Sequence, residues 1–262
     1  MRFMSRTFHL ACALLLATAA TSLHAAKADR ILIVVSGEGR DQGKTRPGYE
    51  FDELSQAWLI FQANGFAIDV ASPQGGAVEA DRYDPQQPFN AALLADTEAT
   101  RMLAATRRTD QVKAEDYAAI YVVGGKGAMF DLPRDTALTT LLGDAYERGV
   151  VIGAVCHGPA ALADVRLRDG TPLVQGKALT GFTNEEEAVF GKRWAKEFPW
   201  LIEDRMRARG AQWQEAPLMM ARSSWMAAWS PGRIRIPPPA SRTPSSVPRG
   251  ARRCRGRRGA TN

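Results

Sequence analysis

Cys156 and His157 stand side by side in the run Val150-Val151-Ile152-Gly153-Ala154-Val155-Cys156-His157-Gly158-Pro159-Ala160-Ala161-Leu162. An apolar, β-branched stretch ends at the cysteine; His, Gly and Pro follow, and then an Ala/Leu run that favours helix. The pattern predicts a buried strand turning sharply into a helix with the thiol on the turn, a nucleophile elbow. A thiol so placed stands above the end of its sheet, and the positive end of the next helix favours its thiolate. The chemistry on offer is attack on an electrophilic carbon. His157 is placed to supply a backbone N–H to an oxyanion and a ring for proton transfer. The plainer alternative is a structural cysteine that closes a buried strand.

A second group of chemical interest is Gly124-Gly125-Lys126-Gly127, after an apolar run and before the elbow strand. Bare glycine backbone there brings N–H groups close to a substrate oxygen, so Gly124 and Gly125 are candidate oxyanion or substrate-binding residues.

The inventory around these groups is short. The N-terminus reads as a secretory signal peptide over 1–28: Arg2 and Arg6, the apolar run Leu10 to Ala17, and small residues at Ala25, Ala26 and Ala28. The expected compartment is the periplasm of a Gram-negative bacterium. Cleavage removes His9, His24 and Cys12, so any Cys–His chemistry must use His157, and a multi-ligand zinc site cannot be assembled. With Cys156 alone in the folded part, no internal disulfide framework is available.

The net charge of +6 over 262 residues misleads, because ten Arg and no acids lie past Ala221. Residues 26–221 hold 22 basic against 28 acidic side chains, a net of −6. No nucleic-acid surface is expected. Once the signal is removed, no membrane attachment is expected either.

These groups need elements to hold them. Arg30 to Gly37 reads as the first, central parallel strand, and apolar residues at 51, 54, 58 and 61 share one helical face. Gly65 ends that helix, and Phe66 to Ala71 is a second strand. Residues 77–110 look like an insertion with short helical patches, and Tyr117 to Val123 is a third strand. A helix striped by Leu138, Leu141, Leu142 and Tyr146 leads into the elbow strand. Ala178 to Phe182 reads as a short strand, Thr183 caps the acid-opened helix after it, and a further helix spans roughly Pro199 to Arg209. Strands alternating with helices predict an α/β fold: an open parallel sheet flanked by helices on both faces, with its site beyond the strand C-termini. The domain is expected over 29–221.

The elbow resembles that of the DJ-1/PfpI superfamily, which reads A-x-C-H-G-P. The Gly-rich loop resembles the family's G-G-H-G-x-M-x-D-L-P, with Lys126 in place of the His. Thr45-Arg46-Pro47-Gly48-Tyr49-Glu50-Phe51-Asp52-Glu53 is similar to T-G-x-x-x-x-E with two residues inserted after Thr; counting from Gly48 selects Glu53. The resemblance covers roughly residues 30–220 and is nearest to the Hsp31-like glyoxalase III branch. It implies a flavodoxin-like, class I glutamine amidotransferase-like fold. It also implies a Cys–His–acid triad whose acid aligns with Glu187, Glu186 being the near alternative. Glu53 would lie against the nucleophile with its proton affinity raised by burial. Glu50 reads as a surface carboxyl of the same helix.

The same resemblance implies a lyase of the D-lactate dehydratase, or glyoxalase III, type. Such an enzyme turns a 2-oxoaldehyde such as methylglyoxal into a 2-hydroxy acid without glutathione, metal or organic cofactor, and it belongs to the stress response. A small aldehyde is then the substrate, and a homodimer is implied. Two other outcomes use the same elbow: a PfpI-like cysteine amidase or peptidase, and a non-enzymatic stress chaperone or thiol redox sensor.

Residues 222–262, with six prolines and many Ser, read as a disordered basic tail from a shifted reading frame. Back-translated with G/C-rich codons and read from the last base of the Arg222 codon, one permitted result is V-V-V-D-G-R-L-V-T-G-Q-N-P-H-P. That string resembles the family's last strand and hairpin.

Overall fold

The computed structural model describes residues 30–215 and 224–226. The expectations for the signal peptide at 1–28 and for most of the tail at 222–262 lie outside the described residues. Among the described residues, no helix is long and apolar enough to cross a membrane.

Among the described residues eight strands are formed: β1 Arg30–Val34, β2 Ala67–Ser72, β3 Arg107–Arg108, β4 Ala119–Val122, β5 Val151–Ala154, β6 Ala178–Leu179, β7 Gln212–Trp213 and β8 Ser224–Met226. Six make one sheet in the order β3-β2-β1-β4-β5-β8. The first five run parallel. β8 pairs antiparallel to β5 at one edge, with Gly153 opposite Trp225. β6 and β7 form a separate parallel pair. Among the described residues the longer helices are α1 Phe51–Ala63, α2 Pro88–Ala95, α3 Thr97–Ala104, α4 Thr136–Glu147 and α5 Ile202–Ala208.

The alternation within β1 explains the layering. Successive side chains point to opposite faces of a strand. Leu32 and Val34 join a core with Ile120, Val122, Leu138, Leu142 and Ile152. Ile31, Ile33 and Val35 join a second core with Leu54, Trp58, Val70 and Leu93. Both faces of β1 are dry, which is why it reads as a continuous apolar run. On α1, Phe51, Leu54 and Trp58 recur at helical spacing and seat it on the second core.

From β1 the chain builds β2 and β3 on one side, then crosses to β4 and β5 on the other. The β1–β4 boundary is therefore the topological switch point, where a crevice opens beyond the strand ends. The loops after β1, β4 and β5 converge there.

Two local expectations change. The element after the elbow is a five-residue 3-10 helix, Gly158–Leu162, rather than an α-helix. Pro159 opens it and the Ala/Leu run is too short to go on, so the macrodipole available to the thiol is small. β3, two exposed arginines paired to Ala71 and Ser72, has no periodicity to announce it.

Candidate active site

The elbow is built from a left-handed turn. Cys156 has φ +55°, a conformation that costs a non-glycine residue about 1–3 kcal/mol and persists only where its surroundings enforce it. Here they do. The Gly158 N–H donates to Val155 O at 2.7 Å, and the Phe182 N–H donates to Cys156 O at 2.9 Å. Neighbouring side chains usually diverge, but this turn folds them together: Cys156 Sγ lies 3.2 Å from His157 Nδ1.

His157 is buried and fixed from three sides. Its Nε2 is 2.9 Å from Glu187 Oε1. Its ring stacks on Phe182 with centroids 4.4 Å apart and meets Phe198 edge-on at 5.7 Å. With Nε2–H donated to Glu187, Nδ1 keeps the lone pair that faces the thiol.

The acid run after β6 divides its work. Glu186 closes a capping box: its Oε2 accepts the Thr183 N–H at 2.9 Å, and its own N–H donates to Thr183 Oγ1 at 3.1 Å. Glu187, one residue on, is buried and begins a π-helical turn, Glu187–Gly191. A side chain at Gly191 would collide with the Glu187 carboxyl, so the glycine makes room for it.

Glu53 comes from the first turn of α1. Its Oε2 accepts the Gly124 N–H at 2.8 Å, and its carboxyl is hydrogen-bonded to Cys156. Burial pushes Glu53 up to about 7, and the Glu50 charge adds to this; the Gly124 N–H and the Cys156 contact pull the other way.

Cys156 is partly exposed as a residue, yet its sulfur is surrounded by protein. Burial, followed by the Glu53 charge, drives the thiol well above its ordinary value against the pull of the Gly125 and His157 N–H groups. The expected helix-stabilised thiolate is therefore not the resting arrangement. The thiol keeps its proton and His157 Nδ1 is placed to receive it.

The glycine loop cradles this pair. A Cβ on Gly124 would lie 2.6 Å from both Cys156 Cβ and Glu53 Oε2. Because the Gly124 N–H is already given to Glu53, the N–H that faces the sulfur is that of Gly125. Gly125 has φ +91°, and a Cβ there would lie 2.5 Å from Glu50 N and 2.6 Å from Tyr49 C, both backbone atoms that cannot swing aside. Gly125→Ala is expected to cost about 1–3 kcal/mol. The thermal midpoint should fall by several degrees and turnover should fall with it; an unchanged melting curve would show that the loop can relax.

Sequence reasoning misses one carboxyl. Glu50 is not a surface residue of α1. It immediately precedes the helix, is partly buried, and donates its backbone N–H to Gly124 O at 3.2 Å. Burial and the charges of Asp52 and Asp81 push it up to about 7, while Lys126 pulls it down. The signal is present in its spacing, one helical turn ahead of Glu53. No cluster of three or more His, Cys, Asp or Glu that could hold a metal ion occurs among the described residues.

An open parallel sheet with a thiol elbow at its C-terminal rim, backed by a His and two carboxyls, defines the class as a cysteine-centred α/β protein. The chain belongs to the DJ-1/PfpI family, whose profile matches residues 45–234. Two curated relatives are glutathione-independent glyoxalases. That of Saccharomyces cerevisiae is 35% identical over 155 residues, covering 53% of this chain and 61% of the relative. That of Schizosaccharomyces pombe is 30% identical over 161 residues, covering 55% and 62%. The chain spans between 61% and 66% of the length of the first four curated relatives.

Among solved structures, the Rapid Encystment Protein 24 kDa of Francisella tularensis superposes with a TM-score of 0.68 at 27% identity, over 73% of this chain and 86% of that one. Glyoxalase III of Candida albicans superposes with a TM-score of 0.65 at 23% identity, over 73% and 84%, a likeness of fold.

Proposed function

We propose that this protein is a glutathione-independent glyoxalase-type enzyme that converts a 2-oxoaldehyde such as methylglyoxal into the 2-hydroxy acid. The observation that carries the reading is that two separate proton-handling groups flank one thiol: His157 Nδ1 lies 3.2 Å from the sulfur, and the Glu53 carboxyl meets Cys156 across Gly124. An amidase or peptidase needs one base beside its nucleophile. Moving a proton between two adjacent carbons calls for a second group near neutrality, and Glu53 at about 7 meets that need. The raised thiol argues against a redox sensor, since sensor cysteines are held as exposed thiolates.

The steps follow from these positions. His157 Nδ1 takes the thiol proton as Cys156 attacks the aldehyde carbon, and the resulting oxyanion collects a proton to give a hemithioacetal. The N–H groups of Gly125 and His157, which face the sulfur, are the donors proposed to stabilise that oxyanion. Glu53 or His157 removes the C1 proton to give an enediol and returns a proton to C2. C1 is thereby oxidised to a thioester while C2 is reduced to an alcohol, so no external oxidant is needed. Water then cleaves the thioester, releases the 2-hydroxy acid and restores the thiol. This internal redox is the chemistry of a lyase of the glyoxalase III type. Glu187 holds the His157 ring throughout.

The signal-like N-terminus supports the further proposal that the chemistry takes place in the periplasm. The test of activity is lactate formation by the purified chain from methylglyoxal with no glutathione present. Steady turnover is expected; its absence across pH 5–9 refutes the reading.

A further inference from the structure

Glu50 has no part in the steps above, and its position gives it one. We propose that Glu50 is the port through which Glu53 trades its proton with water during turnover, which rests on the glyoxalase reading and goes beyond it. The Glu53 carboxyl has its described contacts inside the site, to the Gly124 N–H and the Cys156 thiol. A proton held there needs a carrier to reach solvent.

Glu50 stands one turn earlier on the same segment, and its backbone is bonded to the same Gly124 that holds Glu53. Its side chain is partly exposed. Four charged groups face it: Asp52 and Glu53 from α1, Asp81 from the segment after β2, and Lys126 from the glycine loop. Asp81 is itself tied down, its Oδ1 accepting the Gly48 N–H at 2.6 Å. Lys126 supplies countercharge whenever Glu50 is ionised.

The two carboxyls sit at about the same proton affinity, both near 7. A proton passes between such partners with little thermodynamic step. A carboxyl left at 4.5 would carry a proton only about one part in 300 of the time at pH 7 and would relay poorly.

The consequence is chemical. The proton that Glu53 takes from C1 is exchanged before it reaches C2, so the hydrogen at C2 of the product comes from water. The test is turnover of methylglyoxal in D2O by the full chain, with deuterium at C2 of lactate read by NMR. The wild type is expected to place deuterium at most C2 positions. Glu50→Gln is expected to lose most of that label in favour of substrate-derived hydrogen, and Glu50→Asp to restore it.

Lys126→Met leaves Glu50 in place but removes the cation that lowers it. The pH at which labelling fades is expected to move upward, which provides a reading if Glu50→Gln does not fold. Lactate formed with unchanged labelling in Glu50→Gln, or with substrate hydrogen already retained in the wild type, overturns the port alone. No lactate from the wild type overturns the glyoxalase reading, and the port with it.

Discussion

Cys156→Ser is expected to abolish lactate formation from methylglyoxal while leaving the fold intact. Serine is nearly isosteric, and the groups that hold the turn are backbone: Gly158 N to Val155 O and Phe182 N to Cys156 O. The midpoint of thermal unfolding should shift by no more than a few degrees, since no cavity or unpaired charge is created. Chemistry should fall by at least about three orders of magnitude, because the nucleophile is lost and the flanking groups act only through it.

A hydroxyl holds its proton far more tightly than a thiol. The thiol here is already driven up by burial and by Glu53, so the margin left for His157 to deprotonate the attacking group is thin. Oxygen in that place exceeds it. Residual turnover above a tenth of wild type would mean that the carboxyl and imidazole isomerise a free hydrate, and the covalent route would fall. If instead the protein acts as a chaperone, suppression of client aggregation should survive this substitution unchanged, and that outcome separates the two classes.

The parts of this site that are legible in the amino-acid sequence are those set by local pattern. A β-branched run ending in Cys-His-Gly-Pro specifies an elbow, and Gly124-Gly125 after β4 specifies close backbone approach. The core strands β1, β2, β4 and β5 are legible because most of their side chains are buried, which leaves largely apolar runs, broken in β2 by Asp69. β3 is not, since two edge arginines owe their pairing to β2 alone.

The contact between Cys156 and His157 is equally hidden. It depends on φ +55°, which tertiary packing imposes and no propensity encodes. The choice between Glu186 and Glu187, by contrast, is readable. Thr183 to Glu186 has the spacing of a capping box, which occupies Glu186 and leaves Glu187 for His157. Glu50 reads wrongly as a surface group because amphipathic periodicity assigns faces to a helix and says nothing about loops that fold over its start.

Glu53→Gln should lower kcat by about 10²–10⁴ with little change in KM, the range expected for removing one proton-transfer group. The amide fits the same space: its oxygen can accept the Gly124 N–H and its nitrogen can donate to the sulfur. Position is therefore kept while proton transfer is lost, and a profile of kcat against pH should lose the limb near 7 that Glu53 provides.

Stability should move the other way, and the sign follows from the raised affinity. Below pH 4.5 the carboxyl is protonated in both folded and unfolded chains, and burying it costs nothing of this kind. Between 4.5 and about 7 the unfolded chain ionises Glu53 while the folded chain does not, so stability falls as pH rises. Above about 7 the folded chain carries a buried carboxylate, and the loss levels off on the order of 3 kcal/mol.

Glutamine has no such dependence. The variant should therefore melt close to wild type at pH 4.5 and several degrees above it at pH 8, measured by the same thermal scan at both values. A variant that loses activity and melts lower at both pH values would assign Glu53 to packing. One that melts higher only at pH 8 ties the loss of turnover to a carboxyl held at energetic cost beside the sulfur, as a group kept for its proton would be.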